Sequence, residues 1–77
     1  MTAKIGRHQP RRDQLLTPRE KEVLLLVAGG KMNAAIAADL RISGETVKAH
    51  LRHINKALET RNRTHAVATA IRHGLIE

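Results

Sequence analysis

The sequence predicts an all-α fold: a four-helix domain behind a disordered basic N-terminal tail. Three observations predict it. Apolar residues recur at helical spacing, as at Val47, Leu51, Ile54 and Leu58, which lie four, three and four apart. Each apolar stretch follows a residue suited to cap a helix N-terminus, namely Thr17, Asn33, Ser43 and Asn62. Glycines stand where the first and last stretches stop, at Gly29-Gly30 and Gly74.

The first helix is expected over 17–28. Thr17-Pro18-Arg19-Glu20 reads as a capping box with proline at the first helical position. Val23, Leu24, Leu26 and Val27 supply its apolar face. A short second helix over 34–40 is capped by Asn33 and turns Ile36, Ala37 and Leu40 inward. Arg41-Ile42 makes the turn into a third helix, about 44–58, capped by Ser43, with Glu45 against the positive end of its dipole. The side opposite its buried stripe carries Lys48, Arg52, His53 and Lys56. A fourth helix, about 63–73, follows Asn62, and Leu75-Ile76 is expected to fold back on the core. On that helix Ala66 and Ala70 face inward. Thr64, Val67, Ala68 and Ile71 widen the apolar band beyond one core-facing stripe, which reads as a dimer interface or as scattered surface residues.

Residues 1–14 hold a single branched aliphatic side chain, Ile5, among several charges, with Pro10 and Arg11-Arg12 following. Such a segment cannot bury enough apolar surface to order itself. It reads as a solvated tail or as a basic arm that touches DNA phosphates or a minor groove. The remaining 15–77 is one domain, small enough that its core is marginal without a partner.

Composition narrows the function. Lysine plus arginine number 14 against 7 aspartate plus glutamate, a net charge of +7, which favours a polyanionic partner. With no cysteine there is no disulfide, thiolate metal site or catalytic thiol, a composition compatible with a reducing cytoplasm. With no Phe, Tyr or Trp, modules that stack bases on rings are disfavoured, whereas a helix reading duplex DNA needs no aromatic residue. No apolar run is long enough to span a bilayer.

Ile36-Ala37-x-x-Leu40-x-Ile42-Ser43-x-x-Thr46-Val47 has the spacing of a helix-turn-helix. Two helices that cross closely need a small residue at the crossing, here Ala37, with Val47 ten residues on packing against it. The longer pattern is more specific. Leu16-Thr17-Pro18-Arg19-Glu20-x-Glu22-Val23-Leu24, Ala28-x-Gly30, Asn33-x-x-Ile36-Ala37, Thr46-Val47-Lys48-x-His50-Leu51 and Asn62-Arg63-x-x-Ala66-Val67 follow in order. Together they resemble the DNA-binding domain of the LuxR/NarL/GerE family of bacterial transcription regulators, over about residues 15–76.

The resemblance implies a four-helix domain that binds double-stranded DNA. It also implies a homodimer through the fourth helix, a place in transcription regulation with a possible RNA polymerase contact, no cofactor and no enzymatic activity. A cytoplasmic, nucleoid-associated location goes with it. Most members add a receiver or sensing domain, so the chain is expected to be a short member or an excised domain. Residue by residue, Lys48, Ala49 and Arg52 match positions that approach base edges. Thr46, His53 and Lys56 suit phosphates, and Asn33 and Ser43 cap helices whose amides can also meet phosphate. Glu20 is expected to pair with Arg63. The chain departs from the family pattern at Ala57-Leu58-Glu59-Thr60, often Lys-Leu-Gly-Val. Without that glycine the third helix is expected to run on or fray. The rivals are a sigma-factor region-four domain, an interaction module that heterodimerises with a longer regulator, and a histidine metal site or enzyme, for which no carboxylates or nucleophile converge on His50, His53, His65 or His73.

Overall fold

The computed structural model of the chain describes residues 15–77, so the expected basic tail over 1–14 lies outside the described residues. Four helices follow in order: α1 (Pro18–Ala28), α2 (Asn33–Leu40), α3 (Gly44–Leu58) and α4 (Arg63–Arg72). The expected helices are all present, with Thr17 the cap of α1 and not its first residue, one residue gained at the start of α2 and one lost at the end of α4. Helix α3 packs against each of the other three, and α1 also packs against α2 and α4.

The helix starts follow local chemistry, with one exception. The Thr17 hydroxyl accepts from the Glu20 amide at 3.1 Å, and a Glu20 carboxylate oxygen accepts from the Thr17 amide at 2.9 Å, which completes the capping box. Ser43 Oγ accepts from the Thr46 amide at 3.0 Å, and Asn62 Oδ1 from the His65 amide at 2.9 Å. Asn33 does not cap α2. The cap position is Met32, which has no side-chain hydrogen bond to offer, and Asn33 is the first helical residue. The amide oxygen of Asn33 instead accepts from Arg63, thirty residues away.

The four helix ends share one geometry. A left-handed residue follows each helix or its last turn: Gly30 (φ 91°), Arg41 (φ 58°), Glu59 (φ 56°) and Gly74 (φ 72°). The next amide reaches back to close a wide ring: Lys31 to Leu26 O (3.0 Å), Ile42 to Ala37 O (3.0 Å), Thr60 to Asn55 O (2.9 Å) and Leu75 to Ala70 O (2.8 Å). These bonds satisfy carbonyls that a helix end leaves open. Helix α3 therefore stops at Leu58 without a glycine, which corrects the expectation that it would run on or fray. The Thr60 hydroxyl donates to Asn55 Oδ1 at 2.7 Å and holds the reversal from the side-chain level as well.

The core is aliphatic. Leu16, Val23, Leu24, Ile36, Val47, Leu51, Ile54, Leu58, Ala66, Ala70, Leu75 and Ile76 are buried in one cluster. Ala37, Leu40 and Ile42 pack against it half-buried, as the tight α2–α3 crossing requires. Leu26 and Val27 also lie half-buried, so only Val23 and Leu24 of the expected α1 face are fully enclosed. The return of Leu75 and Ile76 follows from the Gly74 turn, which aims them inward. Thr69 is buried beside Ala66 and Ala70 on α4, and its hydroxyl accepts from Arg72 at 3.5 Å, a long contact.

An L-residue in the left-handed region is disfavoured by roughly 1–2 kcal/mol, partly offset on substitution by the larger freedom of glycine in the unfolded chain. Glu59→Gly is expected to stabilise the domain by roughly 0.5–1 kcal/mol. Thermal unfolding should show a midpoint higher by a few degrees, about 2–8 °C. A midpoint at or below that of the parent chain would contradict a strained Glu59.

Candidate nucleic-acid interface

Helix α3 is divided lengthwise. Val47, Leu51, Ile54 and Leu58 form its buried stripe. Lys48, Arg52, His53 and Lys56 are exposed, so the structure places the expected basic residues on the solvent side. Arg52 and Lys56 stand one turn apart on that side, and neither has a carboxylate within 4.0 Å among the described residues. Lys48 is held more loosely by Glu45 at 3.7 Å, one turn earlier. An exposed pair of this kind is worth little and dissociates readily when a phosphate or base competes for the lysine. Ala49 is half-buried between these residues and offers a methyl group and no charge.

The start of α3 carries polar groups. Ser43 and Thr46 are exposed and their hydroxyls lie 2.9 Å apart. His53 lies nearer the seam with α1, where its Nδ1 is 4.0 Å from a Glu20 oxygen. His50 is half-buried on the same helix. Among the described residues no group of three or more His, Cys, Asp or Glu is arranged to hold a metal ion.

Asn33 stands apart from this cluster as a side chain. It is half-buried, and its oxygen is engaged by Arg63 at the start of α4. The expected Glu20–Arg63 pair does not form. Glu20 is committed to the Thr17 amide through one oxygen and faces His53 with the other, while Arg63 reaches α2. The backbones of α2 and α4 do not pack closely on each other, so this side-chain bond is a direct tie between them.

On α4, Thr64, Ala68 and Ile71 are exposed and Val67 is half-buried. These positions follow the i, i+3, i+4, i+7 spacing of one helix face. That face lies away from the buried Ala66, Thr69 and Ala70, and Ile71 remains 50% exposed. Among the described residues no helix is long and apolar enough to cross a membrane.

One residue was placed by the sequence reading in a turn but given no place in the site. Arg41, in the α2–α3 turn, is exposed and left-handed, with φ 58° and ψ 46°. The only signal for it was negative, the lack of glycine where the chain must reverse.

Two helices joined by a three-residue reversal, the second carrying cations on its outer face, define a helix-turn-helix DNA-binding domain. The chain matches the model of the luxR family of bacterial regulatory proteins over residues 14–70, and it belongs to that family. It is 45% identical over 64 residues to the response regulator protein VraR of Staphylococcus aureus, and equally to that of Staphylococcus saprophyticus. The match covers 83% of this chain and 31% of each relative, so the chain spans about a third of their length. Among solved structures it is similar to the transcription factor GerE, with a TM-score of 0.80 and 30% identity over 83% of this chain and 96% of that one.

The Asn33–Arg63 bond sets a test. In a double-mutant cycle, Asn33→Ala and Arg63→Ala are expected to couple by about 1 kcal/mol or more, as contacting residues do. Glu20→Ala and Arg63→Ala should be additive within about 0.5 kcal/mol. Urea unfolding measures both cycles, and coupling in the second but not the first would contradict the pairing described.

Proposed function

We propose that this chain is a sequence-specific regulator of transcription that reads duplex DNA with the outer face of α3 set in the major groove. The observation that carries the reading is the placement of Arg52 and Lys56. They are exposed and free of carboxylate partners among the described residues, on a helix whose opposite face is fixed by the core. Arg52, Lys48 and Ala49 are assigned to base edges. An arginine can bond guanine O6 and N7 in two-pronged fashion, and an alanine methyl can pack on a thymine methyl. Lys56, His53, Thr46, Ser43 and Asn33 are assigned to the phosphates that fix register, with Asn33 acting mainly through the amide end of α2. The unit that does this is the domain over 15–77, with 1–14 as a basic arm or solvated tail.

The domain works as a homodimer, with Thr64, Val67, Ala68 and Ile71 of α4 meeting the same residues of a second copy. Their uncharged face supports this, as does the marginal size of the core. A face this small does not by itself make a stable dimer, so pairing is expected to be completed on DNA, where two half-sites hold the copies together. The staphylococcal relatives are response regulators by name. We read this domain as acting in transcription regulation, in the cytoplasm at the nucleoid and within reach of RNA polymerase.

Two measurements test this. Arg52→Ala is expected to lower affinity for a cognate duplex by about 1–3 kcal/mol and to lower affinity for random duplex much less. Lys56→Ala should weaken both equally and make the salt slope shallower by about 0.9. Equal losses for Arg52→Ala on both duplexes would remove its base-reading role. Ile71→Glu is expected to convert two-protomer complexes in a gel-shift titration into single-protomer complexes. Unchanged stoichiometry would move the dimer contact off α4.

A further inference from the structure

We propose that Arg41 is a phosphate-gripping residue, holding a phosphodiester oxygen of duplex DNA at the N-terminal end of α3. This rests on the DNA-reading role of α3 argued above and adds a residue that role did not include.

The first observation is an unfavourable backbone with no structural compensation in its side chain. Arg41 closes α2 in the left-handed region, where glycine closes α1 and α4. A glycine would satisfy the same ring, because the bonds that close it run through the backbone: the Arg41 amide to Ala38 O at 3.3 Å and the Ile42 amide to Ala37 O at 3.0 Å. The Arg41 side chain is exposed and makes no hydrogen bond or ion pair with any other described residue. The fold therefore draws nothing from this guanidinium. The conformation alone does not mark a use outside the fold, since Glu59 shares it; what sets Arg41 apart is an exposed guanidinium, unpaired among the described residues and held on a fixed turn.

The second observation is placement. Arg41 lies two residues before Ser43, the cap of α3, and seven before Lys48, which Glu45 partly neutralises at 3.7 Å. Near the start of the helix, Arg41 is therefore the cation without an acidic partner among the described residues. Ile42, half-buried against the core, fixes the backbone on its C-terminal side. The base of the side chain is thus rigid while its end is free. A guanidinium suits this task because its planar fork of donors matches phosphate oxygens.

The molecule contains its own control. Glu59 closes α3 in nearly the same conformation, φ 56° and ψ 46°, at the far end of the same helix and with the opposite charge. Relief of backbone strain is common to Arg41→Gly and Glu59→Gly. Loss of a phosphate contact belongs to Arg41→Gly alone.

The test measures thermal unfolding and binding to cognate and random duplexes across a salt series, for the parent chain, Arg41→Gly, Arg41→Gln, Arg41→Lys and Glu59→Gly. Arg41→Gly is expected to melt no lower than the parent and yet bind both duplexes about ten-fold more weakly at 0.1 M salt, with a slope shallower by about 0.9 per bound protomer. Arg41→Gln, which keeps an L-residue in the turn, should show the same binding loss, so the result does not hinge on how glycine alters the turn. Arg41→Lys should retain most of the slope, and Glu59→Gly should lose no affinity. Parent-like affinity and slope in both Arg41→Gly and Arg41→Gln would overturn the assignment while leaving the α3 reading intact. A loss confined to the cognate duplex would also overturn it, because it would mark base reading. A parent chain that shows no salt-dependent binding to either duplex would overturn the α3 reading and this inference together.

Discussion

The buried stripe of α3 is the constraint on which the rest of the molecule depends. Val47, Leu51, Ile54 and Leu58 meet all three other helices, so α3 is at once the spine of the core and the carrier of the exposed cations. Each such aliphatic side chain contributes roughly 1.5–3 kcal/mol when fully removed from water. That burial fixes the roll of the helix about its axis. Because α3 has a single roll, Arg52 and Lys56 are committed to solvent by the same contacts that close the core. A substitution that re-packs Leu51 would rotate the outer face, and its effect on binding would exceed what its stability change alone implies.

The surrounding elements serve that orientation with little material. The core has no aromatic ring, and its edges are completed by a two-residue return, Leu75-Ile76, after Gly74. Four chain reversals of one kind, each with a left-handed residue and a long backbone ring, keep the helices short and the loops tight. The Lys31–Asp39 pair at 2.8 Å ties the α1–α2 loop to the end of α2. The Arg63–Asn33 bond ties the start of α2 to the start of α4, two helices whose backbones do not pack closely on each other. Through that bond the helix assigned to pairing between copies is connected to a helix assigned to phosphate.

Most of this architecture was legible in the sequence wherever the determining chemistry is local. The capping box at Thr17 and Glu20, the Ser43 and Asn62 caps, the α3 bounds and its buried stripe all depend on residues within one or two turns. The readings that failed depend on distant or competing partners. Asn33 has the right side chain to cap α2, but Arg63, thirty residues on, claims its oxygen. Glu20 was available to Arg63 only until its own helix start took one oxygen and His53 approached the other. The end of α3 lacks the glycine that usually marks a reversal, yet Asn55 and Thr60 hold Glu59 in the left-handed region. The cations of the site were legible as a helix face. Arg41 was legible only as a turn residue, because its exposure and its lack of a partner among the described residues beside the start of α3 emerge in the folded chain. The α4 band was legible as apolar spacing, and its exposure follows only once Ala66, Thr69 and Ala70 are seen to take the inward side.

Selection of binding sites from a random duplex library, at fixed near-physiological salt, tests the central claim most directly. The account predicts enrichment of a two-fold site whose half-sites lie about one helical turn apart or a multiple of it, with guanine among the specified bases. Enrichment of an isolated half-site would leave the α3 reading standing and contradict the homodimer. Retention of duplexes without any enriched sequence would contradict sequence-specific reading by α3.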